Sequence, residues 1–214
     1  MKPHMKIAVI GGTGKSGRYL VKALLQQEYA IKMLVRKTSR LEPYMDAAQC
    51  ITGDVTNYEN VYQTLSGCDA VISTLGLGLP PSAPNIFNAG AQNILRAMEA
   101  LGIHRYIVTT GLNVDTPFDK KGPKTQTATN WMHDNFPVST ADKQKEYETL
   151  AASKAEWTMV RLPIITLTND QGEINTSLED CLGNAINAAS LAAFLVAQLD
   201  DGTFIHQAPF IANK

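Results

Sequence analysis

The amino-acid sequence predicts an α/β fold with a doubly wound parallel sheet. Short apolar runs alternate with segments of helical periodicity, and a glycine-rich turn joins the first run to the first helical segment. Such alternation favours a parallel sheet with helices on both faces, because parallel neighbours need crossover connections. With 214 residues, the chain is long enough for one domain with a sizeable core and short for two. One domain over residues 1–214 is therefore expected.

Strands are predicted where short apolar runs end at polar or turn residues. They are expected over residues 5–10, 30–35, 49–52, 70–74, 106–110, 157–161 and 203–211. The first helix follows the glycine-rich turn, because Leu20, Leu24 and Leu25 share one helical face. Further helices are expected over residues 57–66, 85–101, 140–152 and 185–199.

The alternation breaks between residues 113 and 137, where Pro, Lys and Thr are frequent. We interpret this segment as a long loop, and such a loop in a compact domain is more often functional than idle. An active-site loop is therefore expected over residues 113–137. Its aromatic residues Phe118, Trp131 and Phe136 either cover a planar substrate or anchor the loop on the core.

Composition excludes several classes of partner. Lys and Arg total 19 against 20 Asp and Glu, and a net charge of -1 gives no general attraction to nucleic acid or to a membrane surface. No signal-peptide core and no apolar run of about 18 residues is found in the sequence, so a cytoplasmic protein is expected. Cys50, Cys68 and Cys181 suit reduced thiols, and the histidines share no metal-ligand spacing. A monomer and a small homo-oligomer both remain open.

The glycine-rich turn GGTGKSG carries two phosphate-binding patterns. Gly14, Lys15 and Ser16 match the end of the phosphate loop of nucleotide hydrolases. That loop needs a further glycine five positions before Gly14, and the sequence has Val9 there, inside the first strand. The turn is therefore too short to wrap a triphosphate.

The spacing of Gly11, Gly14 and Gly17 fits a dinucleotide-binding turn instead. In that interpretation Gly11 makes the tight turn, Gly14 lets the backbone approach a pyrophosphate, and Gly17 lets the helix lie close to the sheet. Thr13, Lys15 and Ser16 are then expected to line the same phosphate site. A turn without a ligand, and a surface position for the lysine, are the alternatives.

The tip of the second strand favours NADP(H) over NAD(H). A carboxylate about 20 residues past the glycine motif would accept a hydrogen bond from the ribose 2′-hydroxyl of NAD. The sequence reads KMLVRKTSR there, with Arg36 at the strand end and Lys37, Ser39 and Arg40 close behind. A guanidinium matches a 2′-phosphate bidentately. A solvated basic turn is the alternative interpretation.

Further motifs carry a family resemblance. They are GDVTN (residues 53–57), DAVISTLG (69–76), HRYIVTTG (104–111) and EWTMVRLP (156–163). Together with the glycine-rich turn, they resemble atypical short-chain dehydrogenases/reductases, closest to the NmrA-like proteins and the biliverdin reductase B type of flavin reductase. The resemblance extends from residue 6 to about residue 199, and it implies a Rossmann-type fold that binds NAD(P).

The resemblance also implies roles for residues at the adenosine end. Asp54 and Val55 would flank the adenine, with the Asp54 carboxylate accepting from its amino group. Leu75 and Gly76 would line the adenosine ribose. These residues follow predicted strands, and ligands of open α/β sheets bind beyond the carboxyl ends of the strands.

At the nicotinamide end, the resemblance implies two catalytic residues. Thr110 stands where relatives carry a Ser beside the nicotinamide, and Lys143 matches the lysine that contacts the nicotinamide ribose. Pro163, Ile164 and Ile165 would lie along the nicotinamide edge.

The sequence also departs from these families. Short-chain dehydrogenases that act on alcohols carry a Tyr four residues before the Lys, and the sequence has Ser139 there. Tyr147, four residues after Lys143, is either a replacement for it or a packing residue. The flavin reductases tend to carry a Ser in place of Gly111, and some carry a His near Ile164.

An NADPH-dependent reductase is therefore expected, because hydride transfer to a flavin or quinone needs little proton machinery from the protein. Phe118 and Trp131 would line the pocket of this planar acceptor. A non-catalytic NADP(H) sensor of NmrA-like type is the alternative. A sugar-nucleotide or isomerase type of enzyme is disfavoured, because such enzymes usually keep the Tyr and add a larger substrate domain.

Overall fold

A computed structural model of the chain describes residues 5–36, 43–77 and 82–214. The strands are β1 (Lys6–Ile10), β2 (Ala30–Val35), β3 (Gln49–Thr52), β4 (Ala70–Ser73), β5 (Arg105–Gly111), β6 (Glu156–Leu162), β7 (Ile164–Thr166), β8 (Ile174–Ser177), β9 (Ala185–Asn187) and β10 (Phe210–Asn213). The helices are α1 (Gly17–Gln26), α2 (Tyr58–Leu65), α3 (Ile86–Leu101), α4 (Pro123–Asn135), α5 (Pro137–Ala151) and α6 (Ala188–Ala197), with a 3-10 turn over Pro43–Ala47.

The central sheet has eight strands in the order β3-β2-β1-β4-β5-β6-β10-β8. Adjacent strands from β3 to β10 pair in parallel, and β8 pairs with β10 in antiparallel fashion. The strand order reverses between β1 and β4, which is the switch point of doubly wound sheets. The predicted fold class is therefore confirmed. Outside this sheet, β7 and β9 form a short parallel pair.

The core lies on both faces of the sheet, because the central strands are apolar throughout rather than alternating. In β1, Ile7 and Val9 pack on one face with residues of α1 and α6. Ala8 and Ile10 pack on the opposite face with residues of α2, α3 and α5. Among the described residues, no helix has both the length and the apolar character needed to cross a membrane.

The structure corrects the prediction of an irregular loop over residues 113–137. Most of this segment is helix α4, and α5 begins at Pro137 rather than at residue 140. Both helices start with a proline, which is favoured in the first helical turn. The helix was missed because its buried residues are Thr125 and Thr129, so its inner face shows no apolar periodicity.

The carboxy-terminal elements also differ from the prediction. The strand expected over residues 203–211 forms only at Phe210–Asn213, although the N–H of His206 still bonds to the carbonyl oxygen of Trp157 at 2.7 Å. The helix expected over residues 185–199 begins at Ala188, because the preceding residues pair with β7 as β9. Strands of three or four residues, such as β7, β8 and β9, are too short for a clear period.

One buried guanidinium joins the segments around β6. Arg161 is 0% exposed. Its Nη1 atom donates to Oδ1 of Asp119 at 2.6 Å and to the carbonyl oxygen of Val114 at 3.2 Å. Its Nε and Nη2 atoms donate to the carbonyl oxygens of Ala208 at 2.8 Å and Leu178 at 3.0 Å. A single side chain therefore fixes the segments after β5, after β8 and before β10 to the central sheet.

The charge of Arg161 is compensated within this cluster. Its Cζ atom lies 3.5 Å from the ring centroid of Phe210, a cation–π geometry. Burial lowers the pKa of Arg161 and its hydrogen bond to Asp119 opposes that shift, so the guanidinium remains charged. The buried side chain of Lys121 adds a second cation, 2.5 Å from Asp115 and 3.5 Å from Asp119.

We predict that Arg161→Met lowers the free energy of unfolding by about 3–5 kcal/mol, because the Asp119 carboxylate loses its buried partner. Arg96→Met is the matched control, since Arg96 is exposed and stacks on Tyr58 at 4.0 Å. This control substitution should lower the free energy of unfolding by about 1 kcal/mol or less. Urea denaturation of the three proteins measures both changes, and equal losses would contradict the structural role of Arg161.

Candidate functional site

The carboxyl ends of the central strands meet at one edge of the sheet. Ile10 at the end of β1 pairs with Leu34 of β2 and with Ser73 of β4, and Ser73 pairs with Val108 of β5. The edge brings together the predicted cofactor residues, which are Gly11, Thr13, Gly14, Lys15, Ser16 and Gly17 after β1, Arg36 after β2, Asp54 and Val55 after β3, Leu75 and Gly76 after β4, and Pro163, Ile164 and Ile165 after β6.

The glycine-rich turn leads directly into the amino end of α1. Gly11 has a φ of 78°, and its carbonyl oxygen accepts from the N–H of Gly14 at 2.9 Å. Ser16 begins the helix and makes no side-chain capping bond within the described part of the chain, and the first turn carries no acidic residue. Helix amino ends attract anions through unpaired N–H groups and the helix dipole. The turn therefore fits a pyrophosphate.

Two of these glycines allow a close approach of backbone segments. A β-carbon on Gly11 would lie 2.7 Å from the carbonyl oxygen of Thr74, in the loop after β4. A β-carbon on Gly17 would overlap the carbonyl oxygen of Gly11 and lie 2.9 Å from Cα of Gly12. Thr74 also donates its N–H to Ile10 at 2.9 Å. The start of α1 is therefore packed directly on the turn after β1 and on the loop after β4.

We predict that Gly17→Ala lowers the free energy of unfolding by about 1–3 kcal/mol, because the new methyl group meets backbone atoms that cannot rotate away. Gly76→Ala is the control, since no described atom lies within 4 Å of a β-carbon there. It should change stability by about 0.5 kcal/mol or less. Urea denaturation compares them, and a tolerated Gly17→Ala would contradict the close packing.

The tip of β2 is described only as far as Arg36, which is half-buried. The N–H of Gly53 bonds to the carbonyl oxygen of Val35 at 2.9 Å, and this bond holds the loop after β3 beside the tip. Lys37, Ser39 and Arg40, which the sequence adds to this basic cluster, lie outside the described residues. Arg36 and the glycine-rich turn lie at the same edge, on neighbouring strands.

The loop after β3 is held by polar side chains. Oδ1 of Asp54 accepts from the N–H of Thr56 at 2.8 Å and from its hydroxyl at 2.6 Å. The N–H of Asp54 donates to Oδ1 of Asn60 at 3.1 Å, and Asn93 donates to the carbonyl oxygen of Val55 at 2.9 Å. The prediction did not single out Thr56, Asn60 or Asn93, although turn-forming Asp and Asn side chains are a readable signal.

A buried amide occupies the end of β5. Thr110 and Asn113 are both buried, and neither the Thr110 hydroxyl nor the Asn113 amide has a hydrogen-bond partner among the described residues. A β-carbon on Gly111 would overlap Oδ1 of Asn113. The amide therefore fills the space that a side chain at position 111 would take, in the place where the resembling flavin reductases tend to carry a Ser. No motif in the sequence singles out Asn113 as a site residue.

Helix α5 is fixed to α3 by a carboxylate. Oδ2 of Asp142 accepts from the N–H groups of Phe87 at 2.8 Å and Asn88 at 3.4 Å, in the first turn of α3. The hydroxyl of Thr149 donates to Oδ1 of Asn88 at 2.7 Å. These contacts place the half-buried Lys143 with its Nζ atom 4.8 Å from the ring centroid of Phe87. Lys143 therefore has a defined position close to the amino end of α3.

A buried acid stands one helical turn after Lys143. Glu146 is 2% exposed, and its Oε2 atom has no hydrogen-bond partner within the described ranges. Burial raises the pKa of Glu146 to about 8, the charge of Lys143 opposes this shift, and the charge of Asp142 adds to it. Burial also lowers the pKa of Lys143. Each group of the pair is therefore closer to its neutral form than it would be in water.

The structure does not support Tyr147 as a replacement for the missing tyrosine. Its ring packs edge-on against Trp157 at 6.0 Å between centroids, and burial raises its pKa, which disfavours the phenolate. Ser139 is half-buried, and its hydroxyl donates to the carbonyl oxygen of Phe136 at 3.3 Å. The packing interpretation of Tyr147 therefore fits its surroundings.

The expected pocket aromatics are exposed. Phe118 is 61% and Trp131 is 55% exposed, so neither is packed into the core. Trp131 contacts Phe136 with 5.7 Å between ring centroids. Of the residues after β6, Ile164 is 76% exposed while Ile165 packs on the core. Ile164 is therefore the residue of this pair that can meet a ligand.

Comparison with known proteins gives a family and a fold. A family model described as NAD(P)H-binding matches residues 11–202. Photosystem II assembly factor Ycf39 of Cyanophora paradoxa is 30% identical over 115 residues, which are 51% of this chain and 35% of that protein. The chain spans about a third of the length of the curated relatives it matches.

Two solved structures share the fold over almost their whole length. A short-chain dehydrogenase/reductase of Veillonella parvula in complex with NADP has a TM-score of 0.78 and 16% identity, covering 99% of this chain and 95% of that chain. ChuY, described as an anaerobillin reductase from Escherichia coli O157:H7, has a TM-score of 0.77 and 17% identity, covering 98% and 97%. The expected resemblance to NAD(P)-binding proteins of Rossmann-type fold is confirmed.

Proposed function

Because the chain belongs to the NAD(P)H-binding family, we propose that it is an NADPH-dependent reductase that transfers hydride to a planar acceptor of flavin or quinone type. The observation that carries this proposal is the shared edge of the sheet. It combines an uncapped helix amino end, a basic strand tip and, across the switch point, the Thr110 and Lys143 region. Ligands of open α/β sheets bind at this position.

The cofactor would lie across the switch point. The pyrophosphate would meet the amino end of α1, with Gly14 and Lys15 exposed beside it. The adenine would lie against the ordered loop at Asp54 and Val55, and its ribose against Leu75 and Gly76. The Veillonella neighbour, whose structure is a complex with NADP, supports a nicotinamide cofactor of this type.

The class of acceptor is inferred from the absence of the catalytic tyrosine, whose position is taken by Ser139. Ser139 is a poor proton donor at neutral pH, so the reduction of ordinary carbonyl groups is disfavoured. Isoalloxazines and quinones take their proton from solvent or from a weak donor, and the site then needs only to stack two flat rings in a dry pocket. The exposed rings of Phe118 and Trp131 are candidates for contacting the acceptor. The description of ChuY as a reductase agrees with this reaction class.

Thr110 and Lys143 are the proposed catalytic residues. Lys143 would hold the nicotinamide ribose through its ammonium group, since α5 places it beside the amino end of α3. Thr110 would face the nicotinamide from the end of β5, with Pro163 and Ile164 after the end of the neighbouring parallel strand β6. The bound NADPH supplies the hydride, and these residues orient it towards the acceptor.

Stopped-flow mixing tests the proposed reaction. Protein loaded with NADPH is mixed with FMN, FAD and simple quinones, and the loss of NADPH absorbance is followed. We expect the rate with at least one acceptor to exceed that of free NADPH by 100-fold or more, on the order of the gain from holding reactants together. The absence of acceleration with every acceptor would contradict the proposed function.

Cofactor preference provides a second prediction. Arg36→Ala should weaken NADPH binding by about 1.5–3 kcal/mol, the range for a hydrogen bond to a charged group, and leave NADH nearly unchanged. Arg96→Ala is the matched control, because it removes the same charge from an exposed position on α3. Calorimetric titration measures the affinities. Equal weakening of both cofactors would show that Arg36 does not bind the 2′-phosphate.

A non-catalytic NADP(H) sensor is the second candidate. The presence of Ser139 in place of a tyrosine favours it, and the similarity to an assembly factor agrees with it. Strong discrimination between NADP+ and NADPH without turnover of any acceptor would support the sensor over the reductase. For either function we propose a cytoplasmic monomer or small homo-oligomer with three free thiols.

A further inference from the structure

We propose that Asn113 is a ligand-binding residue whose side-chain amide leaves its buried position when the site is occupied and pairs with an amide or imide group of the bound ligand. Under the proposed function, on which this inference rests, such a group has two sources. They are the carboxamide of the nicotinamide and the pyrimidine ring of a flavin acceptor. The inference gives a role to a buried amide that has no partner in the described part of the chain.

The amide of Asn113 is unfavourable where it lies. Asn113 is 1% exposed, and neither its Oδ1 nor its Nδ2 atom has a hydrogen-bond partner within residues 5–36, 43–77 and 82–214. A buried polar group without a partner loses its contacts with water and gains none in return. Such unsatisfied groups are rare in folded proteins, and local rules of this kind are broken mainly at functional sites.

The backbone around Asn113 is ordered by hydrogen bonds at the ends of β5 and β6. The N–H of Leu112 donates to the carbonyl oxygen of Leu162, the last residue of β6, at 3.1 Å. The N–H of Val114 donates to the carbonyl oxygen of Gly111 at 3.4 Å, which closes a four-residue turn around Asn113. The turn lies beside the residues after β6 that the proposed function places along the nicotinamide.

The neighbouring glycine gives the amide a way out of its buried position. Gly111 is half-buried, and a β-carbon on it would overlap Oδ1 of Asn113. The amide oxygen therefore lies where the side chain of a partly exposed residue would stand, and position 111 has no side chain to enclose it. The movement is a rotation about the two side-chain bonds of Asn113, and the hydrogen-bonded turn stays in place.

The chemistry of the amide selects the kind of ligand. An amide has two donors on nitrogen and an acceptor on oxygen, so it pairs best with a ligand group that offers a carbonyl oxygen and an N–H side by side. The carboxamide of nicotinamide and the imide of an isoalloxazine both do so. A quinone offers acceptors alone and would leave the oxygen of Asn113 unpaired.

Calorimetric titration of Asn113→Ala tests the cofactor as the source of this group. NADPH should bind the variant about 10-fold more weakly than the wild type, which is about 1.4 kcal/mol. The fragment 2′-phospho-ADP-ribose lacks the nicotinamide and should bind both proteins equally. Asn130→Ala is the matched control, because it removes an exposed amide from α4 and should leave both affinities unchanged.

Titration of FMN into protein loaded with NADP+ tests the acceptor as the source. In that case the affinity for NADPH stays at the wild-type value, and Asn113→Ala binds FMN about 10-fold more weakly. A loss for either ligand supports the proposal. Unchanged affinities for both, as expected of an amide that a buried water satisfies, would overturn it and leave the proposed function intact. A wild-type protein that binds NADPH but reduces no acceptor contradicts the proposed function alone.

Urea denaturation without ligand separates a binding role from a structural one. Asn113→Leu has a side chain of similar size without polar atoms, and it should unfold at the same urea concentration as the wild type or a higher one, because no bond is lost. Asn88→Leu is the comparison, since Oδ1 of Asn88 accepts from the hydroxyl of Thr149 at 2.7 Å, and it should unfold at a lower concentration. A larger loss in Asn113→Leu than in Asn88→Leu would overturn the proposal.

Discussion

The absence of a β-carbon at Gly11 and Gly17 is the constraint on which the candidate site depends. It lets the start of α1 rest on the backbone of the turn after β1 and on the loop after β4. The amino end of α1 consequently lies close to the carboxyl ends of the parallel strands. The strand order reverses between β1 and β4, and ligands of open α/β sheets bind at such a switch point.

The outer half of the site is held by charges more than by apolar packing. Arg161 joins the segments after β5 and β8 to the central sheet, and Asp142 joins α5 to α3. Each of these charged groups is buried and hydrogen-bonded, which makes the contact directional as well as strong. The position of Lys143 follows from the second contact. The side chains that would meet a substrate therefore rest on a small number of ionic and hydrogen-bonded contacts.

The sequence allows the inner half of the fold to be predicted, because strands buried on both faces give uninterrupted apolar runs. The spacing of the glycines predicts the glycine-rich turn, because the geometry of a short turn depends only on the few residues that form it. Helix α4 was missed because threonines, not apolar residues, face inward. Glu146 was missed for another reason: its burial comes from the docking of α5, and nothing in its local sequence distinguishes it from the exposed Glu148.

Asn113 and Gly111 share one volume, because the amide oxygen of the former takes the place of a side chain on the latter. A chain that gains a side chain at position 111 must therefore lose or redirect the one at position 113. Substitutions at the two positions are energetically coupled rather than additive. An evolutionary path between this protein and a relative with serine at position 111 consequently requires changes at both positions. A comparison of position 111 alone would suggest that the polar group is lost, whereas here Asn113 supplies a polar group in the same space.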